Sequence, residues 1–461
     1  NRRAGQVTCT WTTEGPFVST YELNLNPDTA ITTSTFGSAK YKLTGTAAAS
    51  GKANVRALGK LPLGKTYYAA VKQVDTQSNA SVISNLPVGV KPDYLKVTVA
   101  GSSAKGFLGQ TLASGDFNCD GYSDLAAGEI GYSSDKGRVR IYWGSAAGLV
   151  TTSFTNVIGS IAGGKFGLSL AALNFDGDTT KCDDLAVHSW GADDKRGRVF
   201  IYLGKSTWTT RTDLGTGNGA ELMYRIPIGT ANTTYRLGWG LAATDMNGDG
   251  LGDLAMGYFN MATGGFAEVL VVYGRTGVIP MGPGIQPMDT KLPGGADVRI
   301  MGGSYANAFG QSNAQGGRLD SDIYHDLIIS SLQEVPPAYN GAVYVVKGAA
   351  GTAGVQQVIN VSSSNRVVRI GGGASSFGFG LMAAGVGDLN GDGKAEFAVS
   401  EPYNSNQVGK VYVFTLNGST VPKTTADAVI VVNNDNAYTA TNLAGRGLAN
   451  GAVLDPIKGA D

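Results

Sequence analysis

Five times along this chain a bulky apolar residue stands just before glycine, and each time a strand, an acidic turn, a second strand and a Val/Tyr-rich third strand follow. The pairs fall in Phe107-Leu108-Gly109, Phe166-Gly167, Leu237-Gly238, Phe309-Gly310 and Phe377-Gly378, at intervals of about 60 to 72 residues. The third strands read Arg138-Val139-Arg140-Ile141-Tyr142, Arg198-Val199-Phe200-Ile201-Tyr202, Val269-Leu270-Val271-Val272-Tyr273, Ala342-Val343-Tyr344-Val345-Val346 and Lys410-Val411-Tyr412-Val413-Phe414. A fourth strand precedes the next pair, as in Arg366-Val367-Val368-Arg369-Ile370, and no helical period intervenes. Four-stranded repeats of this kind are the blades of a β-propeller. The fold expected is therefore all-β, a β-propeller of four-stranded blades, six or seven in number, with an N-terminal β-sandwich.

The acidic turns carry the chemistry. In Asp245-Met246-Asn247-Gly248-Asp249-Gly250-Leu251-Gly252-Asp253, oxygen-bearing side chains occupy positions one, three, five and nine, and glycine at six allows a sharp turn. A hard cation such as Ca²⁺ collects six to eight oxygens in this way. The loop differs from an EF-hand, because position twelve is Met256 and the flanks read as strands. Loop one offers Asp116, Asn118, Asp120 and Asp124, with the Tyr122 carbonyl at position seven. Loop two offers Asn174, Asp176, Asp178 and Asp184, but two extra residues precede the last carboxylate and glycine is missing at six, so weaker binding is expected. Loop three adds the Leu251 carbonyl to its side chains, and loop five supplies Asp388, Asn390, Asp392, the Lys394 carbonyl and Glu396. Loop four has Asp320, Asp322 and Asp326 with Arg318 at position one; a guanidinium there is expected to neutralise the carboxylates and leave no calcium. The expectation is three or four structural Ca²⁺ sites, against the plainer reading of acidic hairpin turns that need no metal.

The Phe-Gly pairs, the Asp-x-Asn-x-Asp-Gly-x-x-Asp loop and the Leu-Ala-x-Gly after it resemble the FG-GAP repeats of integrin α-subunit propellers and their bacterial relatives, over residues 107 to 461. That resemblance implies FG-GAP blades whose metals stiffen the face opposite the ligand-binding loops. On that opposite face, between second and third strands, stand Tyr132, Trp190, Tyr258, Phe259, Tyr339 and Tyr403, with Glu129, Glu334 and Glu401 beside them. Aromatics with polar tips suit protein partners and sugar faces alike. Either they form a broken ring around the channel, or each packs over its own blade edge.

Residues 1–85 lack the acidic loops. Alternation in Val7-Thr8-Cys9-Thr10-Trp11 and in Tyr67 to Val74 gives strands with one inward face. With Tyr21-Glu22-Leu23 and the Leu61-Pro62-Leu63-Gly64-Lys65-Thr66-Tyr67 corner, this module resembles fibronectin type III domains. Residues 86–92 read as a stiff linker, and 93–461 as the propeller. Cys9 shares a strand face with Trp11 and reads as a core thiol. Cys119 lies in loop one and Cys182 in the insertion of loop two, on neighbouring blades, so they pair as a disulfide or remain two free thiols.

Composition narrows the function. Among 461 residues, 36 basic and 36 acidic side chains balance to zero net charge, which argues against nucleic acid. No apolar run reaches the length of a membrane span, and the chain reads as soluble and processed. Few cysteines and apparent calcium loops fit the extracellular space or cell surface. Only His188 and His325 exist, and neither neighbours a nucleophile motif, so an enzyme is not expected, although paired carboxylates for a polysaccharide lyase or a lipase-type activity leave that class open. The reading is an exported calcium-binding adhesion or ligand-recognition protein whose partner is a cell-surface protein or glycan; alternatives are a carbohydrate-binding propeller and a structural subunit of a surface appendage. Residues 93–100 resemble a fourth strand without its first three, and Gly445-Arg446-Gly447-Leu448-Ala449 the opening of a sixth repeat. Further residues or another chain are expected to complete the ring.

Overall fold

The computed structural model describes residues 2–3, 6–12, 18–27, 36–48, 53–58, 67–75, 84–85, 98–102, 105–145, 148–177, 182–192, 196–213, 219–225, 235–260, 267–276, 284–287, 295–302, 307–333, 341–372, 376–401, 403–404, 410–416 and 428–431. The chain divides into two compact units, Asn1–Thr98 and Val99–Asp461.

In the first unit, period-two alternation produces two antiparallel sheets. One has three strands, in the order Arg2–Arg3, Gln6–Thr12, Ala53–Leu58; the other has four, in the order Tyr41–Thr46, Val18–Pro27, Tyr67–Asp75, Ser84–Asn85. Tyr21, Leu23 and Leu25 face Tyr67, Ala69 and Val71 in one apolar cluster, because every second residue of each strand turns to the same side. The side chains of Cys9 and Trp11 lie outside the described residues.

In the second unit the repeat becomes five blades. Their first strands are Leu108–Gly115, Phe166–Leu173, Tyr235–Thr244, Asn307–Gly317 and Ala383–Gly387. Second strands are Asp124–Glu129, Asp184–Ser189, Asp253–Asn260, Asp326–Gln333 and Glu396–Glu401. Third strands are Arg138–Tyr142, Arg198–Tyr202, Ala267–Val272, Ala342–Val346 and Lys410–Thr415. Fourth strands are Thr155–Ile158, Leu222–Arg225, Val298–Met301, Val367–Gly371 and Ala428–Val431. All pair antiparallel within their blade. Helical structure among the described residues is confined to short turns, a 3-10 turn at Phe36–Ser38 and the four-residue turn Tyr132–Asp135 among them.

Why the apolar-Gly pair recurs is visible at the junctions. Phe166, Leu237 and Phe309 are 0% exposed, each plugged into the core shared with the preceding blade. The glycine after each takes a left-handed φ, 90° at Gly167 and 89° at Gly238, and the register shifts just beyond it. A side chain at Gly238 would stand 2.5 Å from Val199 Cγ2 of the blade before. In blade five the pair that fills this place is Phe379-Gly380 rather than Phe377-Gly378. Gly380 has φ 80°, its β-position would meet Val343 Cγ2 at 3.0 Å, and Phe379 packs in the core shared with blade four. The expected pair lies two residues too early, since Ser376–Phe377 pairs with Tyr403–Asn404 in a separate ribbon.

Four such cores join blade one to two, two to three, three to four and four to five. None among the described residues joins blade five to blade one. Residues 98–100 are not in a strand, so this part of the expected closing strand is absent; residues 93–97 and Gly445-Arg446-Gly447-Leu448-Ala449 lie outside the described residues.

The sequence gives no hint of a further set of short strands. Arg211–Thr212 of blade two runs parallel to the fourth strand of blade one, Gly284–Pro287 of blade three to that of blade two, and Gln357–Asn360 of blade four to that of blade three. Each comes from the segment between third and fourth strands of its own blade and covers the outer edge of the blade before. Open strand edges invite unwanted pairing, and these straps occupy them.

Candidate functional site: the acidic loops

Each acidic loop joins the first and second strands of its blade. In loop one the Asp116 carboxylate accepts the Asp120 amide at 3.1 Å and the Gly121 amide at 2.8 Å, Asn118 Oδ1 accepts Asp120 N–H at 3.1 Å, and Asp120 Oδ1 accepts Tyr122 N–H at 2.9 Å. Loop three repeats the pattern with Asp245, Asn247, Asp249, Gly250 and Leu251. Loop five repeats it with Asp388, Asn390, Asp392, Gly393 and Lys394. Glycine at position six has φ of 82°, 84° and 86° in these loops. Position four is also left-handed, a requirement that the sequence reading missed: Gly177, Gly248 and Gly391 stand there in loops two, three and five, and Cys119 takes φ 63° in loop one.

The last carboxylate turns into the blade. Asp124 accepts the Phe117 amide at 2.9 Å and the Gly144 amide at 2.7 Å, so it ties position two of its loop to the end of the third strand. Asp184 does the same for Phe175 and Gly204, Asp253 for Met246 and Gly274, and Asp326 for Leu319 and Gly348. In loop five Glu396 accepts from Leu389 N–H and Asn390 Nδ2. Burial pushes Asp124 and Asp326 up to about 7 and Asp184 and Asp253 up to about 8, with the loop's other carboxylates adding to the rise.

The loops also fasten neighbouring blades. The position-one carbonyls of Asp116, Asn174, Asp245 and Arg318 accept amides from Asp183, Gly252, His325 and Ala395 of the following blade. The position-two carbonyls of Phe117, Phe175 and Met246 accept from Lys205, Arg275 and Ala349. Asp183 Oδ2 further accepts Asp116 N–H at 2.8 Å. Cys119 and Cys182 are joined as a disulfide across the first junction, with Cα atoms 4.9 Å apart; of the two alternatives left by the sequence, this is the one realised.

Loops one, three and five bring two outward carboxylates, an Asn amide oxygen and a position-seven carbonyl to each turn, a set made only of oxygen, which fits a hard cation. In loops one and three the outward carboxylates add to the burial-driven rise at Asp124 and Asp253, and no ion pair to the carboxylates of loops one, three and five is present among the described residues. The same residues do not close on a point by themselves: no three His, Cys, Asp or Glu side chains gather into a metal-ligating group among the described residues. In loop two, Asn174 accepts the Gly177 amide and Asp176 lies near Asp184, while Asp178 falls outside the described residues.

Loop four departs from expectation in its cation. Arg318 is exposed, and the charge that meets the carboxylates is Lys347, whose Nζ lies 3.2 Å from Asp320 Oδ2. An arginine at position one starts outside the turn and reaches solvent. Lys347 follows the third strand and reaches back across its own blade. Burial acts to raise the Asp320 pKa, but the Asp322 amide and Lys347 outweigh it and hold the carboxyl below its ordinary range.

On the opposite face, Tyr132 is half-buried beneath Arg138, whose guanidinium carbon lies 3.9 Å from the ring centroid. Trp190 is half-buried, and Tyr258 packs against the core between blades two and three. Phe259, Tyr339 and Tyr403 have side chains outside the described residues. Glu129 and Glu401 do not line that face. Glu129 is 0% exposed and binds Arg138, Arg140 and Ser102, and Glu401 is 2% exposed and accepts from Tyr412. His188 is buried against Leu237 and Gly238 of blade three, and burial depresses its pKa to about 3, with the Leu237 backbone acting in the opposite sense.

Comparison with known proteins agrees with this architecture. The FG-GAP repeat family matches residues 381–414, the part of blade five that carries loop five. Phosphatidylinositol-glycan-specific phospholipase D of Mus musculus is 33% identical over 162 residues, covering 32% of this chain and 18% of that protein. Integrin alpha-PS2 of Drosophila melanogaster is 27% identical over 239 residues, or 49% of this chain and 15% of that protein, and integrin alpha-V of Gallus gallus is 27% identical over 210, or 43% and 19%. The chain thus spans less than a fifth of the length of each of these relatives. The matches support an integrin α-like FG-GAP domain.

Proposed function

We propose that this chain is an exported recognition protein, its propeller stiffened by Ca²⁺ and its ligand a cell-surface protein or glycan. The observation that carries the reading is the identical turn in loops one, three and five, each with carboxylates left without a cationic partner among the described residues. Asp116, Asn118, Asp120 and the Tyr122 carbonyl would hold one ion; Asp245, Asn247, Asp249 and the Leu251 carbonyl a second; Asp388, Asn390, Asp392 and the Lys394 carbonyl a third. Asp124, Asp253 and Glu396 would close these sets from behind, and Asn174, Asp176, Asp178 and Asp184 would form a weaker fourth. Bound calcium would relieve the carboxylate repulsion and fix the turns from which the inter-blade bonds depart. The likeness to integrin α proteins supports recognition as the role and the extracellular space or cell surface as the place. No helix among the described residues is long and apolar enough to cross a membrane.

For the first unit, the three- and four-stranded antiparallel sheets support a fibronectin type III-like module. A second reading, favoured by the similarity to phosphatidylinositol-glycan-specific phospholipase D proteins, makes the propeller the glycolipid-facing part of a hydrolase. Equilibrium dialysis with ⁴⁵Ca²⁺ tests the metal, and three or four ions per chain are expected; none would sink that reading. Binding to intact cells and to a glycan array, with and without EGTA, tests recognition. Release of a phosphatidylinositol-glycan-anchored reporter would favour the hydrolase reading instead.

A further inference from the structure

We propose that Lys347 is the resident cation of the fourth acidic loop, covalently supplied where loops one, three and five take a metal ion, so that the junction of blades four and five holds without calcium. The proposal rests on the calcium reading only for its contrast with the other loops. Loop four keeps the turn. Asp320 Oδ1 accepts Asp322 N–H at 3.0 Å, as Asn247 Oδ1 accepts Asp249 N–H at 3.1 Å, and Asp322 Oδ1 accepts Tyr324 N–H at 2.9 Å, as Asp249 Oδ1 accepts Leu251 N–H at 2.8 Å. Asp326 ties Leu319 and Gly348 as its counterparts do.

Two side chains differ, and they compensate. Position one has lost its carboxylate to Arg318. The residue before the glycine that ends the third strand is Lys347, where blades one, two and three have Trp143, Leu203 and Tyr273. The ammonium of Lys347 meets Asp320 at 3.2 Å, with only 22% and 11% of the two side chains exposed. Arg366 adds a second built-in cation nearby, its guanidinium donating to the Lys347 carbonyl at 3.0 and 2.7 Å. Asp320 therefore meets a charge that cannot diffuse away, and Asp322 lies within its field. A compact ammonium with three donors is suited to such a place, because it needs no fixed fork geometry.

The test uses the full chain. Melting temperatures of wild type, Lys347→Gln and Lys347→Arg are measured in EGTA and in millimolar Ca²⁺, beside ⁴⁵Ca²⁺ dialysis. Lys347→Gln is expected to melt a few degrees lower in EGTA, Lys347→Arg to match wild type, and Ca²⁺ to lift Lys347→Gln more than wild type as loop four gains an ion. The double variant Asp320→Asn, Lys347→Gln is expected to melt closer to wild type than Lys347→Gln alone, and this comparison serves where the single variant folds poorly. Equal EGTA melts for wild type and Lys347→Gln, or an equal drop in Lys347→Arg, would overturn the proposal, as would loss of a bound ion from wild type on Asp322→Asn. If wild type binds no calcium at all, the calcium reading fails while the EGTA melts still decide the role of Lys347.

Discussion

Position two of the acidic loop is the same kind of residue in every blade but has two fates. Phe117, Phe175, Met246 and Leu319 are at most 1% exposed, whereas Leu389 is 63% exposed. The first four lie under the following blade, which also takes up backbone carbonyls of the same loops. Leu389 has no such neighbour among the described residues. A loop of this family of turns is thus finished by its successor: one blade supplies the carboxylates and the apolar plug, and the next supplies the lid.

The sharpest break of this comparison is in the core that covers Phe117, where the Phe of a Phe-Gly pair also packs. Phe166→Ala opens a cavity beside Phe200 and Tyr202 and is expected to cost about 3–5 kcal/mol in unfolding free energy, read by denaturant titration. Next comes the clip between loops one and two. Replacing Cys119 and Cys182 by Ser removes a cross-link spanning 63 residues and should cost about 2–4 kcal/mol. The serine at position 119 must then hold the left-handed backbone without a tether, so loop one should also lose Ca²⁺ affinity relative to loop three. The ⁴⁵Ca²⁺ count lost on Asp120→Asn, compared with that lost on Asp249→Asn, reports the two loops separately.

A smaller effect lies at the junction of blades two and three. His188 has a folded pKa of about 3 against an ordinary 6.5, so the unfolded chain binds the extra proton between those values. Stability contributed by the neutral ring is complete above pH 6.5 and falls below it, by about 1.4 kcal/mol per pH unit. Melts from pH 7 to pH 5 should fall less steeply in His188→Leu than in wild type; parallel curves would contradict the buried neutral ring. Smallest of all is Leu389→Ala, expected to change stability by less than about 0.5 kcal/mol. A large loss there would mean that position two of loop five is covered in solution.

What the sequence disclosed was whatever repeats. Period-two strands, the apolar-Gly pairs and the spacing of Asp, Asn and Gly placed the blades and their loops. The blade-five pair was misplaced by two residues, because Phe377-Gly378 and Phe379-Gly380 are alike in type and only contact with Val343 separates them. Arg318 was legible as a departure from pattern, but the cation that meets the carboxylates in its place was not. Which cation reaches a carboxylate depends on side-chain direction, and Lys347 lies outside the loop. The left-handed fourth position was available as glycine in loops two, three and five, and was hidden in loop one by a cysteine. The straps of two to four residues are too short to leave any period.

Those straps give the propeller a direction. Each reaches from a blade back to the one before, so trimming blades from the N-terminal side removes what is covered and bares no outer edge of the blades that stay. Trimming from the C-terminal side, once it takes blade four or an earlier one, strips the cover from the last remaining edge. Fragments of this chain should therefore differ in solubility according to which end was cut, with those shortened at the C-terminal side the stickier, prone to add strands from one another along an edge that the intact succession keeps occupied.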